Sequence, residues 1–415
     1  MSSRDQRRTD RSLPPRLLAL VFAPFAAGFF FSYVFRNVNA VIAKDLAAEF
    51  SLSPADVGLL TSMYLLSFAA MQVPVGVFLD RYGPRRVVAS LLGIAGLGAL
   101  EFALAGSVGE LALGRALIGL GVSACLMGSI KAFTLWFPLA RLATLNGWVI
   151  AIGGLGGLAA TSPLEALLGP LGWRAVFFGM AAGSALAAAA IFFIVPEKPL
   201  PGAGEGWGMA FARMGRIFGT RSFWRIGLPL IVGHGAYQAM QGLWLAPWLT
   251  DVGGLARAAM AAHLFATALA YAIGALFYGW LADFLADRGV SRLGLYKLGS
   301  ATAVAAYVAI AFDLAPAKMP LLMVYGFSTI SGALAYALLT RHFPPEMTGR
   351  VNTAANVVMF FVSFLFQLGI GVVLHMFDVV NGRYSPDGYM LAFGLIAAAQ
   401  CAALAWLLPM KESEA

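Results

Sequence analysis

The chain has 415 residues, 60% of them hydrophobic and only 12% charged, and carries a net charge of +8. With a mean hydropathy of +0.80, it cannot be a soluble globular domain. A bilayer core of roughly 30 Å is crossed by about 20 apolar residues per helix, so the length accommodates about twelve spans joined by short loops. The basic balance is not the footprint of a nucleic acid. About 20 of the 28 lysines and arginines fall on one set of alternate loops and about five on the other. That asymmetry predicts an inner-membrane protein with both termini and the central loop in the cytoplasm.

Residues 1–15 are rich in Arg, Ser and Pro and read as a disordered, basic cytoplasmic N-terminus. Leu17 to Phe31 has the look of a signal peptide, but the apolar run continues past Val41 and is therefore taken as the first span. Six spans are expected near 16–43, 53–78, 87–105, 111–136, 146–168 and 173–195, forming an N-terminal bundle over 16–195. The Pro- and Gly-bearing stretch 196–222 reads as a cytoplasmic linker. Six more spans are expected near 224–250, 258–285, 293–314, 320–341, 350–376 and 388–409, a C-terminal bundle over 223–409, followed by a cytoplasmic tail at 410–415. Cys125 and Cys401 both lie in apolar spans, which implies neither a disulfide framework nor a metal site.

The two halves are related. Gly76 to Asp80 is repeated by Gly279 to Asp283 at an offset of 203, and after a short insertion Gly289 and Arg292 answer Gly83 and Arg86 at 206. Phe137-Pro138 and Asn146 keep the 206 offset with Phe343-Pro344 and Asn352. The G-x-x-x-D-R-x-G-x-R-R pattern of Gly76, Asp80, Arg81, Gly83, Arg85 and Arg86, placed between the second and third spans, resembles the loop signature of the major facilitator superfamily. The resemblance covers essentially the whole chain. It implies an all-α membrane protein with twelve transmembrane helices in two pseudo-symmetric six-helix bundles, around a central site that opens alternately to either side. It also implies a gating function for Asp80 and its neighbours, and for Gly279, Asp283 and Arg288 in the second half. The plainer reading of the arginines is that they close a cytoplasmic turn and set topology.

Arg36 is the most informative single residue. It lies well inside the first span, where a lone guanidinium costs at least ~2.5–3.5 kcal/mol and must pair, snorkel or face a wet cavity. Tyr33, Arg36 and Asn37 share one helical face, which makes a planar cation flanked by a phenol and an amide, a suitable clamp for a carboxylate or another oxyanion. The competing expectation is a structural pair with Glu101 of the third span. In the seventh span His234, Tyr237, Gln238, Gln241, Trp244 and Trp248 follow i, i+3, i+4, i+7 spacing, so they are expected to line the cavity. His234 could carry a coupling proton. In the fourth span, Arg115 to Gly121 is similar to the R-x-x-x-G-x-G signature of proton-coupled family members, although Ile118 stands where a polar residue is frequent. A structural Arg115–Glu101 pair with close packing through Gly114, Gly119 and Gly121 is the alternative. Lys131 is placed near the cytoplasmic end of that span, within reach of the interface or the cavity. Tyr325 and Tyr336 of the tenth span could contribute to the site, with core packing as the plainer reading.

The fifth span carries Gly153, Gly154, Gly156 and Gly157, but Leu158 replaces the proline that follows such glycines in the drug exporters of the superfamily. The acid that such exporters place in the first span is absent too, since Asp45 and Glu49 are expected beyond its end. The four histidines fall on separate elements, and neither H-E-x-x-H nor G-x-S-x-G occurs, so the chain is not read as an enzyme. No cofactor is implied. The expectation is a symporter or antiporter of a small organic anion, a carboxylate first, acting as a monomer in the bilayer with its substrate and a coupling proton or ion as partners. A proton-coupled exporter of amphipathic drugs or metabolites is the alternative, and a non-transporting scaffold or receptor the remote one.

Overall fold

In a hydrocarbon layer every backbone amide must be satisfied within its own segment, and the spans meet that demand as helices. A computed structural model of the chain describes residues 15–198, 206–286, 288, 291–344 and 347–411, apart from the side chains of Ala140, Ala143, Asp283 and Ala286. The expected N-terminal tail, and the tail beyond Lys411, lie outside the described residues, as does Gly289. Among the described residues the only β-structure is an isolated bridge between Val380 and Arg383.

The first half contains α1 (Pro15–Phe50), α2 (54–82), α3 (84–104), α4 (Val108–Trp136), α5 (Leu139–Ala159, prolonged over 162–171) and α6 (173–194). Gly83 separates α2 from α3 at φ 79°, and Gly172 separates α5 from α6 at φ 74°. Both are left-handed conformations that favour glycine, which explains two of the reversals. Ser53 opens α2 with a capping box, its hydroxyl accepting from the Asp56 amide while the Asp56 carboxylate accepts from the Ser53 amide. The second half contains α7 (221–251), α8 (Arg257–Ala286), α9 (Arg292–Ala311), α10 (Lys318–Thr340), α11 (Thr348–His375) and α12 (Pro386–Leu407). The expected twelve-helix, two-bundle architecture is found. Large apolar side chains such as Leu97, Leu186, Phe193, Leu276 and Leu298 stand exposed on its outer faces, where only lipid covers them.

Two elements depart from the sequence expectation. The first helix does not end at Ala43 but continues to Phe50, so Lys44, Asp45 and Glu49 ride on it. The stretch between the halves contains a helix, Trp207–Phe218, whose Met214 and Ile217 are buried in the second half while Trp207 packs edge-on against Phe78 of α2.

The halves meet along the whole length of α2 and α11. At one end a Cβ on Gly371 would lie 2.5 Å from the Pro54 carbonyl, and one on Gly58 3.0 Å from that of Gln367, so only glycine permits the approach. At mid-height the Phe68 and Phe360 rings lie 4.3 Å apart. At the other end Arg350 reaches Gly76 and Asp80. The end that bears Gly76, Asp80 and the linker is called the linker side below, and the opposite end the far side.

Candidate functional site

Arg36 occupies the seam between the halves. Its guanidinium carbon lies 4.7 Å from the Tyr33 ring centroid, 5.2 Å from that of Phe68 on α2 and 5.1 Å from that of Phe360 on α11. The side chain is half-buried, and its Nε has no hydrogen-bond partner. Arg115 on α4 is fully buried. Its Nη1 donates to the Phe35 carbonyl at 3.0 Å and its guanidinium lies 5.0 Å from the Tyr64 ring, while Nε and Nη2 are unpartnered. Among the described residues neither arginine has a carboxylate within ion-pair distance. The Arg36–Glu101 and Arg115–Glu101 pairs are therefore not formed; Gly114 packs against Gly98 and Phe102, at the level of Glu101, but Arg115 turns to Phe35 and Tyr64 instead. Cation–π contacts offset about 0.5–2 kcal/mol each, less than the several kcal/mol that an ion loses on leaving water. The seam is thus electropositive and compensated mainly by ring faces.

The helix packed behind this face makes the room. A Cβ on Gly153 of α5 would lie 2.5 Å from the Phe29 ring and 3.1 Å from that of Tyr33, and one on Gly157 would touch Tyr33 and Asn37. The Asn37 amide donates along its own helix to the Tyr33 carbonyl at 3.0 Å. The glycines of α5 therefore act by close packing, holding α1 at the depth that presents Arg36.

The facing surface comes from α7 and α8. His234 Nδ1 lies 3.3 Å from the Tyr271 hydroxyl, and the Tyr237 and Tyr271 rings stack at 4.5 Å and 17°. Gln238 is buried with its Nε2 unpartnered. Beyond it the expected face breaks, because Met240–Trp244 forms a π turn. A π turn closes i→i+5 and rotates everything after it, so the i+7 and i+10 positions leave the face. Gln241 donates to the Leu264 carbonyl at 3.0 Å, and Trp244, fully buried, donates to the Gln367 carbonyl at 2.8 Å. Both were expected in the cavity, and both instead tie α7 to its own half. On the same half the Tyr336 hydroxyl donates to Asn356 Oδ1 at 2.5 Å.

On the linker side Asp80 forms an ion pair with Lys131 of α4 and stands 3.9 Å from Arg350 of α11. Lys131 is thus engaged at the end of the seam rather than in a central cavity. The other guanidiniums of the motif turn elsewhere: Arg85 and Arg86 pair with Glu197 at 3.4 and 2.6 Å, inside the first half, and Arg81 is exposed over the Tyr82 ring. A Cβ on Gly279 would meet nothing within 4 Å, and Arg288 donates locally to the Phe284 carbonyl at 3.1 Å. The Asp283 side chain lies outside the described residues.

The far side carries a second latch that the sequence reading missed. Lys44 of α1 pairs with Asp251 of α7 at 2.6 Å, and the same buried carboxylate accepts from the Tyr389 hydroxyl at 3.0 Å and the Tyr384 amide at 3.3 Å. Burial, with Asp251 adding to it, pushes the Tyr384 phenol up to about 12. Arg257 of α8 grips Asp45 with two nitrogens at 2.9 and 2.6 Å, donates to the Val41 carbonyl, and lies 3.6 Å from Glu165. Charges near the ends of spans were the available signal. With α1 ended at Ala43, they read as loop charges.

A family model described as Major Facilitator Superfamily matches residues 25–367. The chain is 30% identical over 156 residues to the probable sulfoacetate transporter SauU of Cupriavidus necator, a match that covers 38% of this chain and 36% of that one. It is 24% identical over 390 residues to the hexuronate transporter of Escherichia coli, covering 88% and 89% of the two. Among solved structures, a bacterial homolog to the human lysosomal transporter Spinster, inward-facing and unoccupied, superposes with a TM-score of 0.73 at 20% identity over 96% of each chain. These relatives are transporters, not enzymes. With the family matched across most of its length and with two helix bundles meeting along one seam, the chain belongs to the Major Facilitator Superfamily.

Proposed function

We propose that this protein is a secondary transporter that carries a small organic anion, a carboxylate first, across the inner membrane by alternating access. The observation that carries this reading is Arg36: a half-buried guanidinium at mid-seam, touched by both halves, with no carboxylate beside it among the described residues. A carboxylate there accepts charge-assisted hydrogen bonds from the fork and supplies the missing counter-charge. Neutralising Arg36 also lowers the cost of closing Phe68 and Phe360 over it, which links binding to closure. Gln238 supplies a free amide donor, and the His234–Tyr271 pair offers a polar contact for a substrate hydroxyl. The named cargoes of two relatives, sulfoacetate and a hexuronate, are organic carboxylates, in keeping with this chemistry. The linker side is assigned to the cytoplasm, because Arg81, Arg85, Arg86, Arg213, Arg216 and Arg221 gather there. Both termini then face the cytoplasm.

Thermal stabilisation of the purified protein across carboxylates, inorganic anions, sugars and lipophilic cations tests the reading. A carboxylate is expected to raise Tm in the native protein, with affinity lowered roughly ten- to hundredfold in Arg36→Ala. Stabilisation by lipophilic cations alone would replace the anion reading with the drug-exporter alternative.

A further inference from the structure

A cavity of about 450 Å³ opens on the linker side of the first half, apart from the seam, between α1, the α2–α3 turn, α4 and the end of α6. Transport as described above makes no use of it. Its floor is apolar, formed by Phe25, Ala132, Trp136 and Val195, and its rim carries Arg81, Arg85, Arg86 and Lys198 against the single carboxylate of Glu197. The volume falls in the roughly 300–1,000 Å³ range of small-molecule sites.

Two of these cations are held in place by packing. Arg85 donates through Nε to the Phe192 carbonyl at 2.8 Å and lies 5.3 Å from the Phe192 ring. Lys198 donates to the Leu135 carbonyl at 2.5 Å and lies 4.9 Å from the Trp136 ring. Beside the rim, Phe192, Phe193 and Ile194 stand exposed on the outer face of α6. A preorganised basic rim that adjoins an exposed apolar strip is complementary to a molecule with an anionic head and acyl chains.

From this we infer that the cavity is a binding site for the phosphate of an anionic phospholipid in the linker-side leaflet. Glu197 marks where the phosphate sits. Its half-exposed carboxylate spans Arg85 at 3.4 Å and Arg86 at 2.6 Å, and so fills the oxyanion position of a bidentate site. The lipid phosphate displaces it, exchanging one anion for another without burying new charge. Because the arginines share their turn with Asp80, headgroup occupancy frees Glu197 and the start of the linker from the segment that forms the linker-side latch.

The competition gives the test its sign. Full-length protein in detergent is titrated with a short-chain phosphatidylglycerol, with the matching phosphatidylcholine, and with inorganic phosphate, and the rise in melting temperature is followed. Phosphatidylglycerol is expected to stabilise saturably and phosphatidylcholine not to. Arg85→Ala/Arg86→Ala should weaken the phosphatidylglycerol response about tenfold or more. That variant risks misinsertion, so Glu197→Gln, which leaves every basic residue in place, is the decisive one. It is expected to tighten phosphatidylglycerol binding severalfold, whereas Glu49→Gln on the far side leaves it unchanged. Equal responses to the two lipids, or weaker binding in Glu197→Gln, would overturn the proposal. A full response to inorganic phosphate alone would overturn the lipid as the source of the phosphate.

Discussion

Arg36 and Arg115 share a neighbourhood but differ in what they are free to do. Arg115 is enclosed, with one nitrogen on the Phe35 carbonyl and its plane near Tyr64, so it fixes α4 to α1. Arg36 is half-buried and framed by rings of both halves, which leaves it available to a ligand. Since Glu101 pairs with neither, Glu101→Gln should leave ligand affinity within about twofold of native. Adding it to Arg36→Ala should restore nothing, because a double-mutant cycle between uncoupled residues is additive. Recovery of binding in the double variant would reinstate the ion pair. Arg36 was legible in the sequence because a lone guanidinium in an apolar span has few explanations. Gln241 and Trp244 were misjudged because the π turn at Met240–Trp244, which helical periodicity does not encode, turns them away. Lys44, Asp45, Asp251 and Arg257 were not singled out. Their pairing depends on how far α1 runs before Ser51, whose φ of 51° ends it.

At the scale of elements, α2 and α11 form the seam that the proposed cycle parts at one end and then the other. Its far end is closed backbone to backbone at Gly58 and Gly371. A side chain at position 371 cannot be accommodated against the Pro54 carbonyl without separating the helices. Gly371→Val should therefore hold the far side open: a cysteine at Leu52, in a Cys401→Ser background, should be labelled by a polar thiol reagent several times faster than without the valine. Unchanged labelling would show that the contact does not control closure. The order and number of helices were readable from apolar runs and from the shared 203 and 206 offsets. The helix Trp207–Phe218 was not, since its stretch was read by its prolines and glycines as a linker. Of the two related motifs, Gly76 lies against Arg350 of α11, whereas a Cβ on its counterpart Gly279 would meet nothing within 4 Å.

For the whole molecule, the proposed transport cycle is one in which the ion pairs at the two ends of the seam act as latches. On the linker side Asp80 stands 3.9 Å from Arg350 of the other half, and on the far side Lys44–Asp251 and Arg257–Asp45 bridge the halves. Alternating access requires that these latches open in turn, so each latch biases the population of states without contacting the ligand. Asp80→Asn is thus expected to slow turnover several-fold while ligand affinity stays near native. A large loss of affinity would instead place Asp80 in the binding site. Losing Asp251 is expected to be more severe, since its buried carboxylate gathers Lys44, Tyr384 and Tyr389. Asp251→Ala strands those donors at a cost of about 1–3 kcal/mol, read as a lower melting temperature. The claim that joins these levels is that one anion on Arg36 crosses between two latched ends. Its most direct test is uptake of a radiolabelled carboxylate into proteoliposomes loaded with the same unlabelled anion. Saturable uptake that disappears in Arg36→Ala and slows in Asp80→Asn, with the half-saturation concentration unchanged, is the predicted result. Uptake that survives Arg36→Ala, or its absence alongside acid-dependent loss of a cationic dye, would contradict the account.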